Sequence, residues 1–214
     1  SGRQHSGPPP MGIQIADIAG GSLHSVIGIL AAVIERQRSG LGQYIDISMT
    51  DCVVGLSSMA AAASLAGQEK QGPEQSYLNG ATFYDYYETQ DGRYLSIGSL
   101  EPQFLHGLAQ ILELPIVAEK GASLVTEDRQ VVKQAIKDKI KTQDFATWNA
   151  IFQQQDVCVE PVLKLDEALD SQLAKDRAWV VSVPLQEGST KSEQQLACPI
   201  KFSRSKIRYE FIGK

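Results

Sequence analysis

Ile15-Ala-Asp-Ile-Ala-Gly-Gly-Ser-Leu-His24 is the stretch around which this chain is organised, because it runs directly into a long apolar-periodic segment. Apolar residues recur there with the spacing of one helix face, and Gly40 is placed to end the helix. Asp17 is the one acidic side chain of the stretch. Unpaired backbone N–H groups and the helix dipole favour negative charge at such a helix start. From position alone, Asp17 is either a cap or first-turn acid, or a functional carboxylate.

The segments that follow predict alternating strands and helices. Residues 43–49 alternate in the manner of a strand, and Thr50-Asp51 offers a cap for a second helix that Gly67 ends. Two further strand-like runs flank an Asp-Gly turn and predict a β-hairpin over residues 82–98. Pro102 then suits the first turn of a helix. Later helices are predicted over residues 126–141, 143–154 and 166–177, and extended segments over residues 157–163, 179–185 and 200–203. In the first of these helices the predicted buried stripe is Val131, Val132, Ala135, Ile136 and Ile140. The lysines between Lys133 and Lys141 are interpreted as a solvated face, with a phosphate contact as the alternative.

This order of elements indicates an α/β (α+β) fold in two parts. Helix, strand and helix in immediate succession before residue 67 indicate an α/β layer, and several helices around short strands after residue 80 indicate a second α+β unit. Residues 67–80 are polar and contain Gly72-Pro73 and Asn79-Gly80, which is typical of a connecting loop. We therefore predict a linker there.

Composition excludes several classes of protein. The chain has 214 residues, 43% of them hydrophobic, and a formal net charge of −5, which argues against a nucleic-acid partner. Its three cysteines form no CxxC pair, so we predict no metal site and reduced thiols in the cytoplasm. The apolar runs 25–34 and 53–66 are too short or too interrupted to predict a membrane span. The first ten residues lack an initiator Met and have the composition of an internal cut or a linker remnant.

The ordered motifs resemble the class III CoA-transferase family, which includes carnitine CoA-transferases and α-methylacyl-CoA racemases. In the first half the resemblance is carried by Ala16-Asp-Ile-Ala-Gly-Gly21, Ser39-Gly-Leu-Gly-Gln43 and Ile45-Asp-Ile-Ser-Met49. The second half looks like the racemase branch, through Phe83-Tyr-Asp-Tyr-Tyr-Glu88, Asp91-Gly-Arg-Tyr94 and Gly98-Ser-Leu-Glu-Pro-Gln-Phe104. The run 79–82 is not glycine-rich, unlike the loop that shields the acyl intermediate in the transferase branch, and this favours racemase chemistry.

The resemblance implies a division of the chain. Residues 1–66 would be the C-terminal part of a Rossmann-like, CoA-binding large domain, and residues 67–80 a linker. Residues 81–178 would form the small α+β domain, and residues 179–214 would return to the large domain. Family members are roughly twice this length. The resemblance therefore implies a C-terminal fragment without the N-terminal CoA site and catalytic His, from a protein that forms an interlocked homodimer.

The resemblance also implies the catalytic residues. Asp17 matches the family Asp that moves the α-proton on one face of a 2-methylacyl-CoA thioester, or, in the transferase branch, takes up the acyl group as an anhydride. Glu101 matches a supporting racemase Glu, although it is also a plain first-turn acid ahead of Pro102. His24 and His106 are interpreted as satisfied or exposed histidines. Coenzyme A would enter as part of the substrate, with no permanently bound cofactor.

Four further residues are candidates for substrate binding. Gly20 and Gly21 either let the thioester carbonyl approach backbone N–H groups or permit close helix packing. Tyr84 and Asp85 lie on the hairpin beside the family's cleft, or belong to an ordinary sheet face. The resemblance implies acyl-CoA racemisation, with CoA transfer and a non-catalytic truncated module as alternatives, and an inactive isolated chain.

Overall fold

The computed structural model describes residue 2, residues 5–67 and residues 72–213. The predicted linker 67–80 therefore lies partly outside the described residues, and the predicted domain bounds stay predictions. The chain starts its regular structure with a π-helical segment, Ile15–Leu23. The elements that follow are α1 (His24–Ser39), α2 (Met49–Leu56), α3 (Ser58–Leu65), β1 (Asp85–Glu88), β2 (Tyr94–Ile97), α4 (Pro102–Leu112), α5 (Pro115–Lys120), α6 (Thr126–Ile140), α7 (Phe145–Phe152), β3 (Val159–Pro161), α8 (Leu165–Asp170), α9 (Gln172–Asp176), β4 (Val180–Pro184) and β5 (Ser192–Leu196).

The first helix ends at the predicted position, and the helical structure begins before the apolar-periodic segment, at Ile15. Gly40 adopts a left-handed conformation with φ 74° and donates its N–H to the carbonyl of Arg36, which confirms the predicted stop. The π-helical segment continues directly into α1, so that Ile15–Ser39 form 25 helical residues. Its most apolar 18-residue window has a mean hydropathy of 1.7, enough by length and composition for a membrane span, although core helices of soluble proteins pass the same test. The absence of a membrane segment therefore stays a prediction.

The strand predicted over residues 43–49 is wrong. A strand needs a ladder partner, and no strand in the described part of the chain pairs with this segment. The alternation is nevertheless expressed in packing, because Ile45 and Ile47 face Gly28 of α1, while Tyr44 is 91% exposed. The alternation thus places both isoleucines on the side of the segment that packs against α1, although the segment forms no strand.

The cap of α2 also differs from the prediction. Ser48, and not Thr50 or Asp51, is the N-cap, and its Oγ accepts a hydrogen bond from the Asp51 N–H at 3.3 Å. The helix predicted to reach residue 66 is interrupted at Ser57 into α2 and α3.

The predicted hairpin is confirmed as part of an antiparallel sheet. Strand β1 pairs with β2, and β2 pairs with β3, in the order β1-β2-β3. Gly92 in the turn has φ 79°, a conformation that glycine adopts without strain. Asp91 fixes the turn, because its Oδ1 accepts hydrogen bonds from Thr89 Oγ1 at 2.5 Å and from the Phe145 N–H of α7 at 3.0 Å.

Helices α4 to α7 and this sheet share one apolar core. The amphipathic stripe of α6 is buried at Val132, Ile136 and Ile140, whereas Val131, also predicted to be buried, is 49% exposed. Trp148 of α7 is 1% exposed and donates its Nε1–H to the Ile140 carbonyl at 2.7 Å. The remaining core is formed by Phe83, Tyr87, Leu95, Ile97, Leu105, Leu108, Ala109, Leu112, Val117, Phe145, Phe152, Val157 and Val159.

The C-terminal part forms a second, two-stranded sheet. Strand β4 confirms the extended segment predicted over residues 179–185, and it pairs with β5, which the sequence did not predict. The extended segment predicted over residues 200–203 is not a strand. The helix predicted over residues 166–177 is divided at Ser171, whose Oγ accepts the Ala174 N–H and caps α9.

Arg93 of the turn region binds Glu167 of α8 through two parallel hydrogen bonds. Arg93 Nη1 and Nη2 donate to Glu167 Oε1 and Oε2 at 3.0 and 2.7 Å, and the guanidinium lies 3.9 Å from the Phe145 ring centroid. The Lys164 N–H also donates to Glu167 Oε2 at 2.9 Å. The Lys164 hydrogen bond, followed by the Arg93 contact, holds the pKa of Glu167 below its ordinary value of 4.5.

Replacing Glu167 by Gln should therefore destabilise the chain at pH 7 but much less at pH 3. A carboxylate with a depressed folded pKa contributes stability above its unfolded pKa and loses that contribution as the pH falls through the folded value. Urea unfolding midpoints of the wild type and E167Q at both pH values measure the difference. Asp166→Asn, a change at the exposed neighbouring acid, is the control. An equal difference between the wild type and E167Q at pH 7 and pH 3 would contradict the argument.

Candidate active site

Asp17 lies in the first turn of the π-helical segment, with an exposed side chain. Gln14 is the N-cap residue, so the interpretation of Asp17 as the cap is wrong, and the first-turn position is confirmed. The Asp17 carbonyl accepts a hydrogen bond from Ser22 Oγ at 3.1 Å. The backbone of Asp17 is thus held within the helical segment, and its carboxylate is accessible to solvent.

Gly20 and Gly21 lie where the π-helical segment packs on α2. A Cβ on Gly20 would lie 3.4 Å from the Met49 carbonyl oxygen and 3.4 Å from Val53 Cγ2. A Cβ on Gly21 would lie 3.3 Å from Met49 Cγ. Close packing thus gives both glycines a structural reason, and their proposed approach to a thioester remains a prediction.

Glu101 is the exposed N-cap residue of α4, and its side chain makes no capping bond in the described structure. Its carbonyl accepts the Leu105 N–H at 2.9 Å. The thiol of Cys158 has a raised pKa, first because of burial of the sulfur and then because of the charges of Glu101, Asp156 and Glu160. Glu101 therefore belongs to an acidic group of side chains beside Cys158, whose backbone has φ 52°.

Tyr84 and Asp85 have different surroundings although they are adjacent. The Tyr84 ring lies over Gly98, where an added Cβ would be 3.2 Å from Tyr84 Cε2, and the side chain stays 38% exposed. The carboxylate of Asp85 is only 8% exposed and pairs with Lys133 Nζ at 2.6 Å. Lys133 also donates to the Gly80 carbonyl at 3.2 Å. Asp85 thus ties the hairpin to α6, and Tyr84 is the more accessible of the two.

The structure brings Glu101 and Tyr84 to the same end of the hairpin. Gly98 connects them: it contacts Tyr84, donates its N–H to the Cys158 carbonyl at 2.9 Å, and precedes Glu101 by three residues. The segment that carries Asp17 packs instead on α1 and α2. The predicted site residues thus lie on two elements of the fold, the π-helical segment and the hairpin with the residues that follow it.

The described histidines and acidic residues form no metal-binding group. His24 and His106 each use Nδ1 in a bond to a backbone carbonyl, of Ala19 and Pro102 respectively, at 2.6 Å. These contacts confirm that both are satisfied histidines. Within residues 5–67 and 72–213, no group of three or more His, Cys, Asp or Glu side chains is arranged to hold a metal ion.

Sequence reasoning missed two features beside the predicted residues. Lys133 was assigned to a solvated face, yet it neutralises Asp85. A cavity of about 610 Å³ lies between α8, α9 and the C-terminal sheet, and none of the six predicted site residues lines it. Neither feature has a local sequence signal, because both depend on contacts between distant segments.

Comparison with known proteins places the whole chain in one family. Residues 1–211 match the profile of CoA-transferase family III. The chain is 38% identical to α-methylacyl-CoA racemase of Mus musculus over 85% of its length and 48% of that protein's length. It is 27% identical to succinyl-CoA:mesaconate CoA-transferase of Haloarcula hispanica over 94% of its length and 51% of that protein's length.

Solved structures agree on the fold. A CAIB/BAIF family protein from Brucella suis has a TM-score of 0.70 at 23% identity, and the match covers 99% of this chain and 55% of that one. Rv3272 from Mycobacterium tuberculosis has a TM-score of 0.74 at 16% identity, over 98% of this chain and 57% of that one. The chain spans about half the length of the relatives it matches. It belongs to CoA-transferase family III.

Proposed function

We propose that this chain is the C-terminal part of an acyl-CoA racemase that inverts the α-carbon of 2-methylacyl-CoA thioesters. The observation that carries the proposal is the higher similarity to racemases, 38% and 32% identity, than to the succinyl-CoA transferases, 25–27%. The non-glycine-rich run 79–82 supports the same branch.

In this reaction Asp17 is one of two acid/base groups on opposite sides of the α-carbon. The base removes the α-proton, the electron pair of the C–H bond delocalises onto the thioester carbonyl, and a proton returns to the other face. The second group is a His supplied by the part of the protein upstream of this chain. The exposed position of Asp17 at a helix start supports its role, because a substrate can reach the carboxylate there.

The other site residues have supporting roles in this proposal. Glu101 and Tyr84 belong to the small-domain side of the site, and Gly20 and Gly21 allow the thioester carbonyl to approach backbone N–H groups. Asp85 orients the hairpin through Lys133 rather than contacting the substrate directly. Coenzyme A enters with the substrate, and no permanently bound cofactor is needed.

The complete protein is proposed to be a cytoplasmic, interlocked homodimer without membrane or nucleic-acid partners. Family resemblance supports the dimer, in which the site lies between the large domain of one subunit and the small domain of the other.

A CoA-transferase is the second candidate. It is favoured by the match to succinyl-CoA:mesaconate CoA-transferase over 94% of the chain, against 85% for the mouse racemase. In that reaction the Asp17 carboxylate attacks the thioester carbonyl, the C–S bond breaks and coenzyme A leaves as the thiolate. The product is an aspartyl mixed anhydride.

Two measurements on the full-length protein separate these reactions. The racemase exchanges the α-proton of a 2-methylacyl-CoA with deuterated water when no acceptor acid is present, and hydroxylamine traps no acyl group on Asp17. Trapping of an aspartyl hydroxamate without α-proton exchange would overturn the racemase proposal in favour of transfer.

The third candidate is a non-catalytic module consisting of this chain alone. Such a module would span about half of the relatives' length. In every case we expect the 214-residue chain by itself to be inactive, since the proposed His and most CoA contacts belong to upstream sequence. Turnover of an acyl-CoA by the purified chain would contradict this expectation.

A further inference from the structure

The cavity between α8, α9 and the C-terminal sheet has the size and lining of a small-molecule site. Its volume of about 610 Å³ falls within the range of roughly 300–1,000 Å³ that is usual for ligand pockets. Its walls are mainly apolar, and they are formed by Leu165, Ala168, Leu169, Ala178, Trp179, Leu196, Ala197 and Pro199. An apolar group of moderate size would therefore be partly shielded from water there.

Two cations interrupt this apolar lining. Arg177 at the end of α9 and Lys201 after β5 both line the cavity, and no acidic side chain is among its described lining residues. Neither cation makes an ion pair with the described part of the chain, in contrast to Arg93 and Lys133. In a chain with a net charge of −5, two unpaired cations beside an apolar wall form a local anion-binding arrangement.

We propose that this cavity binds a small amphipathic carboxylate, an apolar chain with one anionic end. A neutral apolar ligand would leave both cations without a counter-charge, and a highly charged anion would leave the apolar walls without a partner. A carboxylate with a medium-length hydrocarbon chain satisfies both. The proposal concerns residues other than Asp17 and Glu101, so it stands or falls separately from the racemase reaction.

Trp179 provides a direct readout, because it lines the cavity and is one of only two tryptophans in the chain. The other, Trp148, is buried in the core with its Nε1–H bonded to the Ile140 carbonyl, so its fluorescence is a constant background. A change in tryptophan emission on ligand addition thus reports on the cavity.

The test is a titration of the 214-residue chain with decanoate, at concentrations well below those at which it forms micelles. We expect a saturable change in Trp179 emission, which Trp179→Phe abolishes, and calorimetry of W179F should still detect binding. Arg177→Met and Lys201→Met should each weaken binding about fivefold, as expected for an exposed charge pair. Lys175→Met removes a cation of α9 that does not line the cavity and should leave binding unchanged.

Three outcomes would overturn the proposal. The first is the absence of a saturable signal. The second is equal affinity for decanoate and for decanol, which has the same chain without the charge. The third is emission that varies with protein concentration and not with decanoate, since this would assign the apolar walls to a second copy of the chain.

Discussion

Replacing Asp17 by Asn in the full-length protein should lower the rate of α-proton exchange by about 10²- to 10⁴-fold, the usual contribution of a positioned acid/base group. The amide cannot accept a proton from the α-carbon, while its size keeps the packing of the helix start. The measurement is incorporation of deuterium into a 2-methylacyl-CoA, with the unfolding midpoint recorded in parallel. KM should change little, because the amide side chain occupies nearly the same volume as the carboxylate.

The matched control is Asp138→Asn, which removes one negative charge from an exposed position of α6. This variant should exchange the α-proton at the wild-type rate. If D17N retains most of the exchange activity, Asp17 is not an acid/base group and the first-turn interpretation is sufficient. Loss of folding in D17N, but not in D138N, would instead assign a structural role to its carboxylate.

Replacing Trp148 by Ala should destabilise the chain by about 3–5 kcal/mol, the range for removal of a buried large aromatic side chain. The indole is 1% exposed, stacks on Phe152 with ring centroids 5.6 Å apart and donates to the Ile140 carbonyl. Its loss leaves a cavity and removes the shorter of the two hydrogen bonds that the Ile140 carbonyl accepts. Denaturant unfolding followed by circular dichroism measures the change.

Trp148→Phe separates the two contributions. It keeps most of the ring volume but removes the Nε1–H donor. We expect a loss of about 0.5–1.5 kcal/mol, the net contribution of one hydrogen bond, because the Gln143 N–H still donates to the Ile140 carbonyl at 3.5 Å. A W148A variant as stable as W148F would contradict the assignment of Trp148 to the centre of the core.

Local signals in the sequence predicted the elements that depend on neighbouring residues. Gly40 ended α1, Asp91-Gly92 formed the hairpin turn and Pro102 began α4, because each acts through backbone conformation or a missing N–H. The prediction of the apolar stripe of α6 was confirmed at Val132, Ile136 and Ile140 and wrong at Val131, which is 49% exposed. There the helix turned Val132, Ile136 and Ile140 to the core and left its neighbour at the edge.

Elements that depend on a distant partner were predicted less well. Residues 43–49 had strand alternation but no strand to pair with in the described chain, whereas β5, Ser192-Glu-Gln-Gln-Leu196, lacked alternation and was formed by pairing with β4. The same limit applies to the site. Asp17 was proposed from its place among ordered motifs and stays a prediction. The Asp85–Lys133 pair and the cavity beside Trp179 depend on contacts that no local pattern records.

The contacts of Asp91 have a consequence for how the small α+β part opens. Hairpin turns are usually among the first segments to fray, but here one carboxylate joins the turn to the first residue of α7, and the Gln90 N–H adds a bond to the Gln143 carbonyl. Opening the hairpin would therefore release the first turn of α7 and expose the core around Trp148. The turn, the hairpin and α7 should exchange their amide hydrogens as one cooperative unit, with an opening free energy close to that of global unfolding.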